Sequence, residues 1–160
     1  MRVLVEIGEI ERQNSAEKKT VAEKTQQLKA AIKTFTKAIT EGRRVVDGEP
    51  KIVAYAYWGR AKAQVSLADV MPDDRENQLK AAIRDYKEAE VLGLKDGQEL
   101  IKALVNANRK LGAFYYDAVQ KPDTPLNTQI KGLDDALTQF ELAIKREANN
   151  VLLQDQILVA

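Results

Sequence analysis

The 160-residue chain contains neither cysteine nor histidine. Without cysteine there is no disulfide, no thiol nucleophile, no zinc–thiolate centre and no iron–sulfur cluster. Without histidine, the commonest general base and the commonest transition-metal ligand are both missing. Proline (four) and glycine (eight) are sparse, too few for the many turns of an all-β chain. Neither sign of charge dominates, with 25 basic against 24 acidic side chains and a net charge of +1. No nucleic-acid partner is therefore expected, since that needs a strongly basic domain or face. No apolar run approaches the ~20 residues that span a bilayer. The N-terminal MRVLVEIGEIER is interrupted by Glu6 and Glu9, so it is no signal-peptide core. These absences predict a soluble protein with no membrane insertion. It is placed in the cytoplasm, with the periplasm or another soluble compartment left open. The phosphate-loop patterns GxGxxG and GxxxxGK and the metalloprotease pattern HExxH are also missing. The expectation is a non-enzyme with no cofactor and no metal.

What is present is helix-forming and repetitive. Apolar residues make up 44% and charged residues 31%, and Ala, Lys, Gln, Leu and Glu, all good helix formers, are abundant. QLKAAIKTFTKAITEG from Gln27 recurs as QLKAAIRDYKEAEVLG from Gln78, an offset of 51 with six leading residues identical. The same offset carries Gly8 onto Gly59, Gln13 onto Gln64 and Ser15 onto Ser66. A third copy, at an offset of 53 to 54, sets Gly112 against Gly59, Leu111 against Trp58, Ala136 against Ala82, Phe140 against Tyr86 and Ala143 against Ala89. The units run approximately 1–50, 51–102 and 103–150, within one domain spanning 1–160. Repetition at this period signals stacked units, each unable to bury its apolar side alone.

Each unit divides into two helices, A and B. In the second unit helix A is expected over 52–69 and helix B over 74–93. Helix B places Leu79, Ala82, Ile83, Tyr86 and Ala89 at the spacing of one buried stripe. Leu28, Ala31, Ile32, Phe35, Ala38 and Ile39 repeat it in the first unit, and Leu133, Ala136, Leu137, Phe140, Ala143 and Ile144 in the third. Pro72 and the segment Lys121–Pro125 break the second and third units between helices. In the first unit Asn14 and Ser15 mark the expected cap. Gly42, Gly48, Gly93 and Gly97 fall near helix C-termini, where glycine takes the left-handed cap. Gly8, Gly59 and Gly112 each cost a helix about 1 kcal/mol relative to alanine. Their recurrence at one position predicts close approach of a neighbouring helix. Asn149–Asn150 is read as the end of the last helix B, with VLLQDQILVA as a short capping or partial helix carrying Val151, Leu152, Ile157 and Leu158.

These positions resemble the tetratricopeptide repeat. Its helix A carries an aromatic or leucine, then Leu–Gly and a tyrosine three residues on. Its helix B carries alanine, an aromatic four on, and alanine three further. The third unit shows Leu111–Gly112 with Tyr115, then Ala136, Phe140 and Ala143. The second shows Tyr55 and Trp58–Gly59, then Ala82, Tyr86 and Ala89. The first keeps Leu4 and Ile7–Gly8, then Ala31, Phe35 and Ala38. The units are longer than the family's 34 residues, and the family's terminal proline is absent, with Lys95 or Gly97 near its place. The resemblance implies an all-α superhelix (solenoid) of three hairpins plus a short C-terminal helix. It also implies a non-enzymatic scaffold or adaptor that holds a protein or peptide partner on its concave face.

By the resemblance, helix A lines that face, from Arg2, Val5, Glu9, Arg12 and Gln13 in the first unit. The second unit contributes Arg60, Ala63 and Gln64, and the third Asn106, Arg109, Tyr116 and Asp117. Arg60, Gln64, Asn106, Arg109 and Tyr116 are the candidate peptide- or partner-binding residues, since Asn and Arg can hold a peptide backbone or carboxylate. Tyr57 and Tyr116 lie off the main stripe, as packing residues or as binding anchors. Asp73–Asp74 and Asp134–Asp135 read as helix-start charges favoured by the dipole. Glu17–Lys18–Lys19 and Arg43–Arg44 read as solvated charge. An alternative function is a structural or assembly subunit that forms a homo-oligomer, or docks in a larger complex, through the apolar C-terminal segment.

Overall fold

The computed structural model describes the backbone of residues 1–44, 49–94 and 97–158, and their side chains except at 97 and 149–158. The roles expected of Gly48 and Lys95 lie outside the described residues, as do those of the side chains of Val151, Leu152, Ile157 and Leu158. Gly97 opens the helix Gly97–Val119 and Gly42 lies within the helix Val21–Arg44, so neither is the C-terminal cap expected of it. The described residues form helices and turns, with no strand. The helices are α1 (Arg2–Asn14), α2 (Val21–Arg44), α3 (Pro50–Val70), α4 (Arg75–Val91), α5 (Gly97–Val119) and α6 (Leu126–Leu158). The chain divides into two compact units, Met1–Gly97 and Gln98–Ala160.

In the first unit α1 packs on α2, α2 on α3 and α3 on α4, and α1 also reaches α3. The organising side chain is Phe35 of α2, which is fully buried. A Cβ on Gly8 of α1 would stand 2.9 Å from Phe35 Cε1, and one on Gly59 of α3 would overlap the same ring. One phenyl ring therefore sits against the bare backbone of two helices, one in its own hairpin and one in the next. This is the close approach the recurring glycines predict. Around it Leu28, Ala31, Ala38 and Ile39 of α2 are buried, as are Leu79, Ala82, Ile83, Tyr86 and Ala89 of α4. Fully burying one such large apolar side chain contributes roughly 1.5–3 kcal/mol, so each hairpin depends on the neighbour that covers its stripe. The central helix is α3, which buries Val53, Ala54, Ala56, Tyr57, Ala61, Ala63, Leu67 and Ala68 around most of its circumference.

The helix ends follow from local chemistry, with two corrections. The first connection is not capped at Asn14–Ser15. α1 runs into a 3₁₀ turn at Ser15–Glu17, and Thr20 begins α2 instead. Thr20 Oγ1 accepts from the Glu23 amide at 3.2 Å while Glu23 accepts from the Thr20 amide at 3.2 Å. This reciprocal box satisfies two donors at once, which an isolated Asn or Ser cannot do. In the second sequence repeat the helices span 50–70 and 75–91 rather than 52–69 and 74–93. Pro50 takes the first helical position, where its missing N–H loses nothing. Asp74 precedes α4, but its carboxylate accepts from the Asn77 and Gln78 side chains rather than capping the backbone. Gly93, at φ +80°, ends α4 in the left-handed region. There the Leu94 amide donates to Ala89 O and the Gly93 amide to Glu90 O, the paired bonds of a Schellman closure.

The second unit joins α5 to α6. A Cβ on Gly112 would stand 2.8 Å from Phe140 Cε1, the counterpart of Gly8 against Phe35. Ala136 and Ala143 are buried beside it. The rest of the expected stripe is not: Leu133, Leu137 and Ile144 are exposed. Their counterparts Leu28 and Ile39 are buried because α3 follows and packs on α2. Nor does α6 stop at Asn149–Asn150; its backbone continues to Leu158 with no separate C-terminal helix. From Leu133 onward the sequence offers neither proline nor glycine to break it.

Gly59→Ala gains about 1 kcal/mol of helix propensity, yet it is expected to destabilise the fold by a net ~1–2 kcal/mol because Phe35 has nowhere to move. In urea denaturation the loss should shrink when Phe35→Leu is added to Gly59→Ala. Strict additivity would show that the two positions do not share this space.

Candidate functional site

The most highly organised polar cluster lies where α2, α3 and α4 meet. Asp85 of α4 is 2% exposed. It accepts from Arg60 Nε at 2.6 Å and from a terminal guanidinium nitrogen at 2.8 Å, a two-pronged pair. Arg60 also donates to Thr36 Oγ1 of α2 at 3.0 Å. The buried Tyr57 ring lies 5.4 Å from the Arg60 guanidinium and 5.3 Å from that of Arg43. Arg43 in turn approaches Glu88 of α4 at 3.5 Å. A shallow cavity of about 460 Å³ is lined by Thr36, Ile39, Thr40, Arg43, Tyr57 and Arg60. The planar guanidinium suits this role, because its rigid fork matches a carboxylate and its face stacks on an aromatic ring.

A second cluster joins α1 to α3. Glu9 accepts from Arg12 at 2.6 Å and 3.0 Å and from Gln13 at 3.1 Å, and Lys62 Nζ lies 3.4 Å away. Burial opposes ionisation of Glu9, but the Arg12 hydrogen bonds and the Lys62 and Arg12 charges outweigh it and hold the pKa at about 2. Lys62 Nζ lies 4.2 Å from the centre of the Trp58 ring. Burial pulls the Lys62 pKa down, and Glu9 works against that shift.

The five candidate residues fall into two groups. Arg60 and Gln64 lie one turn apart on α3 in the first unit. Arg60 is committed to Asp85 and Thr36. Gln64 is 8% exposed, and its Oε1 has no hydrogen-bond partner among the described residues. Ala63 is buried as well, so this face of α3 offers a ligand little surface. Asn106, Arg109 and Tyr116 lie on α5 in the second unit, and all three are exposed. Their spacing of three and seven residues sets them along one helical face. Arg109 pairs with Glu147 of α6 at 2.6 Å. Tyr57, open to two readings from the sequence, is a packing residue, whereas Tyr116 is 48% exposed.

Sequence reasoning missed Asp85, Tyr57 as the aromatic neighbour of Arg60, and Lys62. A signal for Asp85 was present. It stands three residues after Ala82 and four before Ala89, on the buried edge of α4, where a lone carboxylate needs a partner. No group of three or more acidic side chains stands close enough to hold a metal ion among the described residues. None of their helices is long and apolar enough to cross a membrane.

Asp85→Ala should destabilise by about 3–5 kcal/mol, since it strands Arg60 beside Tyr57. The double variant Arg60→Met/Asp85→Leu should recover most of that loss in thermal denaturation, which separates the penalty of an orphaned charge from the worth of the pair. The Glu9 carboxyl is depressed from an ordinary 4.5 to about 2. Its contribution is therefore fully present above pH 5 and is lost as the pH falls through about 2. The melting temperature should drop across that window, and Glu9→Gln should flatten the drop. An unchanged profile would remove Glu9 as its source. Comparison with known proteins finds no matching family model, no matching curated protein and no matching solved structure.

Proposed function

We propose that this chain is a divergent tetratricopeptide-type array. Its three hairpins continue one another as a solenoid, and it acts as a non-enzymatic interaction module that docks a protein partner onto an exposed helical face. The observation that carries this reading is the surface of α6. Leu126, Ile130, Leu133, Leu137 and Ile144 are all exposed. They recur at intervals of four, three, four and seven residues along one side of the helix. A helix presents such a ridge to another helix, which reads it as i, i+4, i+7 anchors. Large contiguous apolar surface of this kind is uncommon on a monomer and marks a contact face. The repeat pattern supports the same reading, since the counterparts Leu28 and Ile39 in α2 are buried where α3 packs on that helix.

A second surface favours the peptide-holding reading. Asn106, Arg109 and Tyr116 stand exposed in one row on α5, an amide, a guanidinium and a phenol suited to an extended peptide backbone or carboxylate. Interaction modules of this size commonly bind in the micromolar range, about 8 kcal/mol.

The two surfaces are separable. Leu133→Asp/Leu137→Asp should leave the helical signal and melting temperature intact, because both side chains are exposed. The variant should lose the proteins that the wild-type chain captures from its native host. Asn106→Ala/Tyr116→Ala should leave that capture unchanged. If instead the α5 variant loses the captured proteins and the α6 variant keeps them, the partner is held on α5.

A further inference from the structure

We infer that the occupant of the α6 ridge is α1 of a second copy of this chain, docked as α3 docks on α2. The inference rests on the interaction-module reading and names its partner. The template lies inside the first unit. There α3 presents Val53, Tyr57, Gly59 and Arg60 to α2, which meets them with Gly42, Arg43, Phe35 and Thr36. An offset of 51 carries that α3 face onto Arg2, Glu6, Gly8 and Glu9 of α1. An offset of 105 carries the α2 face onto Glu147, Ala148, Phe140 and Glu141 of α6.

Parts of both helices are uncovered where their counterparts are covered, although Gly8 and Glu9 are engaged within their own chain. Ala54 and Ala61 of α3 are fully buried, whereas Val3 and Ile10, which take their places on α1, are 64% and 55% exposed. Ile39 of α2 is 5% exposed and Ile144 of α6 is 62%. Leu28 and Leu133 differ in the same sense. Phe140 already lies against Gly112 as Phe35 lies against Gly8. In α2 the same ring also meets Gly59 of the following hairpin. Phe140 is only half-buried, which leaves part of its ring open to a further contact.

One charge pair favours this register and one opposes it. Val53 abuts Gly42, so Arg2 of the second copy faces Glu147. Arg43 stacks on Tyr57, so Glu6 comes beside Ala148. Arg60 meets Thr36, which sets Glu9 near Glu141. This is the one adverse pair, and Glu9 is already held by Arg12 and Lys62. A face of one kind meeting a face of another gives a heterologous contact, which joins copies head to tail.

Sedimentation velocity on the full chain tests this at concentrations up to about 100 μM, well above a micromolar dissociation constant. The wild type should form species larger than a monomer as concentration rises. Val3→Asp/Ile10→Asp damages only the α1 face, and Leu137→Asp/Ile144→Asp only the α6 face. All four residues are exposed, so each variant should keep the wild-type helical signal and melting temperature. Each should be monomeric alone, and the two mixed in equal amounts should form a 1:1 dimer, because the mixture retains one intact pair of faces. A wild type that stays monomeric overturns the inference. So does an α1-face variant that still dimerises, since α6 then pairs with α6. A monomeric wild type that nonetheless captures a host protein through α6 ends this inference and leaves the interaction-module reading standing. A chain that self-associates in this way but captures no other protein leaves the inference standing and confines that reading to self-assembly.

Discussion

The contact of one phenyl ring with two glycine backbones holds the first unit together. Phe35 has no freedom to move, and Gly8 and Gly59 have no side chain to intrude. Every other packing feature of α1, α2 and α3 follows from that distance of approach. The helices come close enough for alanines at 31, 38, 54, 61 and 63 to be fully buried on small contacts, as ridges-into-grooves packing requires. Two glycines lower the intrinsic stability of their helices by about 2 kcal/mol together, and the buried ring and the alanine layers around it offset that cost. The same pair of elements recurs as Gly112 and Phe140 in the second unit.

Polar groups are arranged around this apolar seam and not through it. Arg60 joins α3 to both α2 and α4 through Thr36 and Asp85, and Lys62 joins α3 to α1 through Glu9. A buried carboxylate adds little net stability when paired and is costly when unpaired. The value of the Arg60–Asp85 pair is therefore geometric: it accepts one register between the two helices of its hairpin and penalises others. In this chain the arginine that the family pattern would offer to a ligand is used to fix that register. The internal packing leaves other rows exposed, on α5 and on α6.

Much of the architecture was legible because it depends on patterns of short range. Helical periodicity, proline breaks and recurring glycines are local, and they located α3 and α4 to within two residues. The Asn14–Ser15 cap failed because Asn and Ser are good caps in general, while Thr20 and Glu23 cap each other. The expected core of α6 failed for a different reason. Leu133, Leu137 and Ile144 carry the same pattern as Leu28, Ile32 and Ile39, and pattern alone does not say whether a neighbour is present to cover it.

By itself, then, the sequence determined an all-helical chain, the three-fold recurrence of a hairpin pattern and the close approach of a neighbouring helix at the recurring glycines. Each of these is written in spacings along one helix or in a repeat of the text. Only the tertiary structure decided that Arg60 belongs to Asp85, that Gln64 is buried while Tyr116 is not, and that the apolar side of α6 faces outward. Those outcomes depend on which helix stands beside which, and residues 25 or more apart in the chain carry no local mark of their neighbours.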